Sequence, residues 1–248
     1  MTQWRVIELE EHDAYINMAV DEAILENVRD GKASPTIRFY RWHPSAVSIG
    51  RFQSMQEEVR VGACRDLGVG YVRRITGGGA VYHDYDGELT YSIIGKEGLF
   101  SSGIHDSYRQ ICGYVVNGLK RIGIESQFVP INDVITNGKK ISGNAQTRRE
   151  GVLLQHGTIL YKLDISRMFL LLNVSKEKVS DKMVKSVEER VTSVCALSAA
   201  TFAELYASMF KSFTDGKEFS IGKLSQDEMH RAQELSKRYS SDEWNLSR

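Results

Sequence analysis

The 248-residue chain has few prolines and few cysteines, and it has no long apolar run. With only 3 prolines it contains no Pro-rich linker, and it shows no internal repeat or low-complexity tract. Its longest apolar run, residues 168–172, is far too short to span a bilayer. The N-terminus is acidic and strand-like, without a secretory apolar region. These absences predict a single domain, residues 1–248, in the cytoplasm and with no membrane partner.

Metal and nucleic-acid signals are also missing. The 3 cysteines form no CxxC pair, and their odd number disfavours a disulfide framework. The 6 histidines form no HxxxH or HExxH pair, so we predict no structural metal. Lysine plus arginine equal aspartate plus glutamate at 32 each, without a basic block, which disfavours nucleic acid as a partner.

The most informative segment is RRITGGGAVYHD, which begins at Arg73. Neither GxxxxGK[ST] nor GxGxxG occurs in the chain, so the common nucleotide loops are excluded. Three consecutive glycines indicate positive φ or a close backbone approach. A glycine-rich hairpin turn with solvated arginines remains an alternative. The charged flanks, from Arg73 and Arg74 to His83, favour a loop that receives a ligand.

Hydrophobic periodicity predicts an α+β fold with a mixed or antiparallel sheet flanked by helices. The predicted strands are the N-terminal segment and residues 36–41, 46–49, 69–74, 80–83, 88–94, 126–129, 133–136, 140–144 and 152–161. The predicted helices are residues 16–29, 53–67, 106–122, 165–172, 176–187, 200–212 and 225–239. We expect residues 88–94 to form a half-buried strand, and Asn137-Gly138 to form a type I′ hairpin turn.

A second polar cluster follows that turn. Strand periodicity places four side chains on one face, where they are either solvated at a sheet edge or satisfied by a ligand: Lys140, Ser142, Asn144 and Gln146. His156 interrupts an apolar strand, where a histidine is more often a hydrogen-bonded core residue than a ligand contact. Lys140 supplies a compact positive charge suited to a carboxylate or phosphoryl group. The residues therefore indicate an enzyme that handles a carboxylate by adenylation or acyl transfer.

Four motifs, taken in order, resemble the lipoate–protein ligase A family. They are RRITGGGAVYHD, NDVITNGKKISGNAQ, LLQHGTILY and ERVTSV. The family shares a superfamily with biotin–protein ligases and octanoyltransferases, so the resemblance implies the catalytic-domain fold of the biotin and lipoyl protein ligases. It also implies a cytoplasmic ligase and transferase of protein lipoylation. ATP and Mg²⁺ would convert lipoate to lipoyl-AMP, and the acyl group would pass to a lysine of an apo lipoyl domain of a 2-oxoacid dehydrogenase or of glycine-cleavage H protein.

The resemblance also implies roles for individual residues. Lys140 would be catalytic. The lipoate site would be formed by Arg73, Gly77, Gly78, Gly79, Val81, His83 and His156. The ATP or adenylate site would be formed by Arg74, Ala80, Asn132, Asp133, Lys140 and Thr158, with Asp133 also as the metal ligand. Residues 176–194 would form a loop that closes over the adenylate.

Two alternatives remain open. Octanoyl or lipoyl transfer from an acyl carrier protein, or between lipoyl proteins, proceeds through a thioester and requires a cysteine near the lysine. No cysteine occurs in residues 123–138, and Leu153 occupies the other position at which that group carries one. A non-catalytic lipoate-binding protein is the second alternative. The chain resembles the short, bipartite type of ligase, which lacks a C-terminal accessory domain, so a separate accessory subunit is expected.

Overall fold

A computed structural model describes residues 2–173 and 187–247. The strands are β1 (Gln3–His12), β2 (Thr36–Trp42), β3 (Ala46–Ile49), β4 (Gly70–Arg73), β5 (Val81–His83), β6 (Glu88–Lys96), β7 (Gln127–Val129), β8 (Asp133–Thr136), β9 (Lys139–Arg149), β10 (Val152–Leu160) and β11 (Glu218–Ile221). The helices are α1 (Ala14–Arg29), α2 (Met55–Glu58), α3 (Val61–Asp66), α4 (Ile104–Arg121), α5 (Ile165–Leu171), α6 (Val194–Leu197), α7 (Phe202–Thr214), α8 (Gln226–Tyr239) and α9 (Asp242–Asn245), with a 3₁₀ turn at Glu97–Leu99.

Two sheets organise these elements. The large sheet has the order β11-β1-β2-β6-β10-β9-β8-β7, and the small sheet has the order β4-β3-β5. In the large sheet, β1 pairs in parallel with both β11 and β2, and the neighbours along β2-β6-β10-β9-β8-β7 pair antiparallel. In the small sheet, β3 pairs in parallel with β4 and antiparallel with β5. The fold is therefore the mixed, mostly antiparallel α+β architecture that the sequence predicts.

The large sheet is covered on both faces. Helices α4 and α7 pack on one face in a cluster that includes Ile111, Val115 and Met209. Helix α1 packs on the opposite face, and α8 lies against α1. Every residue from Glu88 to Gly95 is buried because β6 lies between these two layers. The prediction of a half-buried strand at residues 88–94 was therefore wrong.

Local signals located most of the elements to within a few residues. Asn137 and Gly138 both have positive φ, 48° and 76°, as a type I′ turn requires. The predicted helix at residues 53–67 is instead two short helices, α2 and α3. Val59 between them bridges to Leu172, and the Arg60 N–H donates to the Leu171 carbonyl. A contact with a distant segment thus breaks the helix.

The sequence did not predict β11, α6 or α9. The predicted helix at residues 176–187 and most of the predicted loop at residues 176–194 lie outside the described residues. Within residues 2–173 and 187–247, none of the helices combines the length and apolarity that a membrane crossing requires.

Strand β9 contains an irregularity that changes the face on which Lys140 lies. Val134 pairs with Ser142, whereas Ile135 pairs with Lys140, so Ile141 is one extra residue on β9. Such a bulge reverses the inside–outside alternation on either side of it. Lys140 therefore lies over Gly143, while the side chains of Asn144 and Gln146 face the α4 side. The prediction that Lys140, Ser142, Asn144 and Gln146 share one face was wrong for Lys140.

Candidate active site

A cavity of about 290 Å³ lies between the two sheets and is the candidate active site. Most of its lining comes from β2, β3, β5, β6, β9 and β10, from the glycine loop, and from residues 162–172, and α1 adds Met18. Much of the lining is apolar, including Met18, Tyr40, Trp42, Leu160 and Met168. Polar side chains reach the cavity at a few points. An apolar cavity with a few convergent polar groups is typical of a small-molecule site.

Lys140 reaches this cavity through the bulge in β9. Its Nζ lies 2.7 Å from Asp133 Oδ1, and the two side chains are 38% and 35% exposed. The backbone of Lys140 is also fixed, because its N–H donates to the Arg190 carbonyl and its carbonyl accepts from Thr192. A Cβ on Gly143 would lie 2.7 Å from Lys140 Cε. Glycine at that position therefore leaves room for the lysine side chain.

Arg74 supports the glycine loop with its guanidinium. Its Nη2 donates to the carbonyls of Gly77 and Gly79, each at 2.8 Å. Gly78 between them has φ +99°, a conformation that favours glycine. Arg74 is 5% exposed, and burial lowers the pKa of its guanidinium to about 10. The loop is thus built around a buried cation.

A second close approach holds the loop from the other side. A Cβ on Gly50 would lie 2.1 Å from the carbonyl oxygen of Gly78. This loop geometry therefore requires glycine at position 50, because no side chain fits there.

Ser48, His83 and Glu88 form a hydrogen-bonded chain beside Arg74. His83 Nδ1 lies 2.7 Å from Glu88 Oε1, and His83 Nε2 lies 2.8 Å from the Ser48 hydroxyl. That hydroxyl also accepts from Arg74 Nη1 at 3.0 Å. The Trp42 ring stacks on His83 with centroids 3.9 Å apart. Because these groups are buried and paired, the chain fixes the His83 ring.

His156 belongs to a second series of hydrogen bonds, on the other side of Arg74. Its Nε2 lies 2.8 Å from the Thr76 hydroxyl, and its Nδ1 lies 3.3 Å from Asp21 Oδ2. Burial lowers the pKa of His156, which favours the neutral ring. Burial raises the pKa of Asp21, but the hydrogen bond from His156 and the charge of Arg38 outweigh it and leave that pKa below its usual value. His156 is thus a hydrogen-bonded histidine that also lines the cavity.

The cavity collects most of the residues predicted for the site. The predicted residues that line it are Arg74, Gly78, Gly79, Ala80, Val81, His83, Asn132, Lys140, His156 and Thr158. Gly77 and Asp133 do not line it. Gly77 binds Arg74 through its carbonyl, and Asp133 pairs with Lys140. Each of the two therefore contacts a residue that lines the cavity.

Arg73 does not line the cavity, contrary to the expectation that it contacts lipoate. Its Nε donates to the Trp244 carbonyl at 2.9 Å, and its Nη2 donates to the Asn245 carbonyl at 3.0 Å. Nη1 donates to the carbonyls of Arg51 and Gln53. Successive side chains of a strand point to opposite faces, so only one of the two adjacent arginines is directed at the cavity. Arg73 instead ties α9 to the loop after β3.

The sequence analysis missed several residues of the site. They are Asp21, Trp42, Ser48, Thr76 and Glu88. Asp21 lies three residues after Met18, on the apolar face of α1, and Glu88 opens an apolar strand. A carboxylate on an otherwise apolar face is a signal that could have identified both, because a buried charge requires a partner.

The three cysteines all lie in the described part of the chain, and none of them lines the cavity. Cys64 and Cys112 are buried, and burial raises the pKa of their thiols to about 11 and about 12. Cys195 is exposed, next to Tyr161 in space. A thiolate nucleophile is therefore not available on the cavity wall.

With this fold and cavity, the chain belongs to a known class of enzymes. The sequence profile of the lipoyl protein ligase A/B catalytic domain family matches residues 13–214, so the chain is a member of that family. It is 35% identical to the octanoyltransferase LipM of Brevibacillus brevis over 278 aligned positions, which cover 100% of both chains.

Solved structures agree with this assignment. A bi-partite lipoate protein ligase from Thermoplasma acidophilum, studied with its E2 lipoyl domain, is 31% identical with a TM-score of 0.89. The match covers 99% of this chain and 96% of that one. A lipoate-protein ligase A bound with ATP is 28% identical with a TM-score of 0.85, and the match covers 99% of each chain.

Proposed function

We propose that this protein transfers a lipoyl-type acyl group to a lysine of an apo lipoyl domain or H protein, and that it first activates the acid as an acyl adenylate with ATP. The observation that carries the proposal is the composition of the cavity wall, which holds Lys140 and Arg74 but no thiol. An adenylate requires fixed cations and no cysteine nucleophile. The relative of known structure that is bound with ATP, a lipoate-protein ligase A, supports the same chemistry.

Lys140 acts on the reacting groups in both half-reactions. In the first, a carboxylate oxygen attacks the α-phosphorus of ATP, and pyrophosphate leaves with the electron pair of the broken P–O bond. In the second, the acceptor amine attacks the acyl carbon, AMP leaves, and the amine loses a proton. Negative charge develops on phosphoryl and carbonyl oxygens in both steps, and the Lys140 ammonium stabilises it. In the structure, that ammonium pairs with the Asp133 carboxylate, 2.7 Å away.

Asp133 also suits a magnesium ion that arrives with ATP. Within residues 2–173 and 187–247, the His, Cys, Asp and Glu side chains form no group of three or more that could hold a metal. Mg²⁺ at nucleotide sites is usually bound by one or two carboxylates together with substrate phosphates. A single carboxylate beside Lys140 fits that mode, and the ion would neutralise phosphate charge. Asn132 and Thr158 would line the nucleotide side of the cavity.

The second candidate is octanoyl transfer from an acyl carrier protein. The names of the curated relatives favour it, since octanoyltransferase LipM of Brevibacillus brevis matches over the whole chain. That reaction requires a thiol beside the lysine. Cys195 is exposed but does not line the cavity, and the other two cysteines are buried. The relatives' names and the side chains of this cavity therefore favour different acyl donors.

One experiment separates the two donors. The protein is incubated with an apo lipoyl domain and either lipoate with ATP and Mg²⁺, or octanoyl acyl carrier protein without ATP, and the acceptor is then weighed. We expect a lipoyl mass increase with ATP, and a faster reaction when synthetic lipoyl-AMP replaces the first step or an accessory subunit is added. Octanoylation without ATP would establish the second candidate. Tight lipoate binding without acylation in any arm would indicate a non-catalytic binding protein.

A further inference from the structure

Thr76 lies at a junction behind the cavity. Its side chain is fully buried and does not line the cavity. The hydroxyl oxygen is 3.1 Å from Arg74 Nε and 2.8 Å from His156 Nε2. A guanidinium can only donate, so the hydroxyl accepts from Arg74. The Asp21 carboxylate can only accept, so Nδ1 carries the proton of the neutral His156 ring, and Nε2 accepts a hydrogen bond from the Thr76 hydroxyl. Both hydrogen-bonding functions of Thr76 are thereby used in fixing two residues that do line the cavity.

The series of hydrogen bonds continues from His156 to Asp21, a buried carboxylate on α1. His156 Nδ1 faces Asp21 Oδ2 at 3.3 Å. Asp21 Oδ1 accepts from Arg38 at 3.1 Å and from the Ser92 hydroxyl at 2.9 Å. The Tyr40 hydroxyl also donates to Asp21 Oδ2, at 3.2 Å. Because four partners hold Asp21 inside the protein, the His156 ring and the Thr76 hydroxyl have a rigid support.

At its other end, this series of hydrogen bonds fixes the backbone of the glycine loop through Arg74. Arg74 holds the carbonyls of Gly77 and Gly79. The backbone N–H groups of Gly77, Gly78 and Gly79 donate to no acceptor among the described residues. Successive backbone N–H groups in a turn can converge on an anionic oxygen. Gly78 and Gly79 line the cavity, so a ligand there can accept these hydrogen bonds.

We propose that Thr76 is a positioning residue for recognition of an anionic group, because its hydroxyl holds Arg74 and, through Arg74, the N–H groups of the glycine loop in place for a carboxylate or phosphoryl oxygen. The inference rests on the proposed function for the identity of that anion. Ser48 makes a similar bond to Arg74 from the other side, but it lines the cavity, so its own contact with a ligand would obscure an indirect effect. Thr76 offers the cleaner test.

The test compares Thr76→Val, which keeps the shape and loses the hydroxyl, with Thr76→Ser, which keeps the hydroxyl. Binding of lipoate and of its neutral amide, lipoamide, is measured by calorimetry on the full chain. We expect Thr76→Val to bind lipoate about tenfold more weakly, the value of one hydrogen bond to a charged group, and to bind lipoamide as wild type does. Thr76→Ser should bind lipoate within about twofold of wild type. Equal losses for both ligands, or no loss, would overturn the proposal.

Two further outcomes separate this inference from the proposed function. If the wild-type protein binds neither lipoate nor octanoate, the proposed substrate class is wrong, and the inference fails with it. If wild type binds lipoate and Thr76→Val binds it equally well, only the inference fails. Thr76→Ala, compared under conditions where its circular dichroism matches wild type, replaces the valine variant if that variant does not fold. It carries the same expected loss for lipoate alone.

Discussion

Two of the cations that line the cavity, Lys140 and Arg74, are held in opposite ways. Lys140 is 38% exposed, and its partner is a carboxylate 2.7 Å away. Arg74 is 5% exposed, and its hydrogen bonds go to neutral oxygens of Ser48, Thr76, Gly77 and Gly79. The lysine thus sits at the edge of the site on a flexible stem, whereas the arginine belongs to the interior framework.

This difference assigns the two cations different tasks. A half-exposed ion pair contributes only about 0–1 kcal/mol to stability, so Lys140 can leave Asp133 for a substrate oxygen at little cost. A buried guanidinium held by several hydrogen bonds cannot move without leaving carbonyls unpaired. Lys140 is therefore suited to charge that develops during a reaction, and Arg74 to keeping the glycine loop in one shape.

The largest expected effect is that of Lys140→Ala on catalysis. Acylation of an apo lipoyl domain with lipoate and ATP should fall by about 10²–10³-fold, since one fixed donor to developing charge is removed. The midpoint of thermal unfolding should change little. The control is Lys139→Ala, because the ammonium of the neighbouring lysine donates to the Glu188 carbonyl rather than into the cavity. Near-normal activity of Lys140→Ala would remove the lysine from the mechanism.

A smaller effect is expected when the loop around Arg74 is distorted. In Gly78→Ala, the new Cβ would lie 2.8 Å from Arg74 Nη2, at a backbone φ of +99°. Positive φ costs a non-glycine residue about 1–2 kcal/mol. Because the loop must take up this strain to keep the shape that receives the ligand, lipoate binding measured by calorimetry should weaken by about tenfold or more. In Gly77→Ala the Cβ meets nothing within 4 Å. If the two variants bind lipoate alike, the loop is only a turn.

The buried network around Arg74 should also appear in the pH dependence of stability. Burial lowers the pKa of His156, Arg74 and His83 act in the same direction, and Asp21 opposes them. In the unfolded chain this histidine titrates near its usual pKa of about 6.5 and binds the proton more readily. Its stabilising contribution is therefore complete above about pH 6.5 and is lost as the pH falls towards the lower folded pKa.

Replacing the histidine by glutamine tests this linkage. The free energy of unfolding of the wild-type protein should decrease through this group as the pH falls from 7 to 5, and His156→Gln should lose that part of the slope in urea titrations. Asp21, whose pKa lies below its usual value, titrates at lower pH and leaves this window unaffected. Identical slopes for the two proteins would show that His156 is not kept neutral by folding.

The smallest effect is expected from the cysteines. Replacing Cys64, Cys112 and Cys195 together by alanine should leave ATP-dependent acylation within about twofold, because none of the thiols lines the cavity and an adenylate requires no thiol nucleophile. Stability should fall modestly, since two of the three are buried. Loss of activity in a variant that remains folded would favour transfer through a thioester.

The sequence predicted those features that depend on neighbouring residues. Helix α4 follows from its apolar periodicity, and the turn at Asn137-Gly138 follows from the ease with which these two residues adopt positive φ. The ordered motifs indicated the family, which the match at residues 13–214 confirms. By contrast, the helix predicted at residues 53–67 failed because Val59 bridges to Leu172, a contact that no local pattern contains.

The amino-acid sequence by itself determined which groups are available: a glycine triplet, two adjacent arginines, two lysines after a tight turn, and no cysteine within the motifs. Tertiary structure decided which of them reach the cavity. One extra residue in β9 turned Lys140 towards it, and strand alternation sent Arg73 to α9 and left Arg74 beneath the loop. Partners such as Asp21 are separated in sequence from Arg74, so only packing of α1 on the sheet could bring these charges into one network.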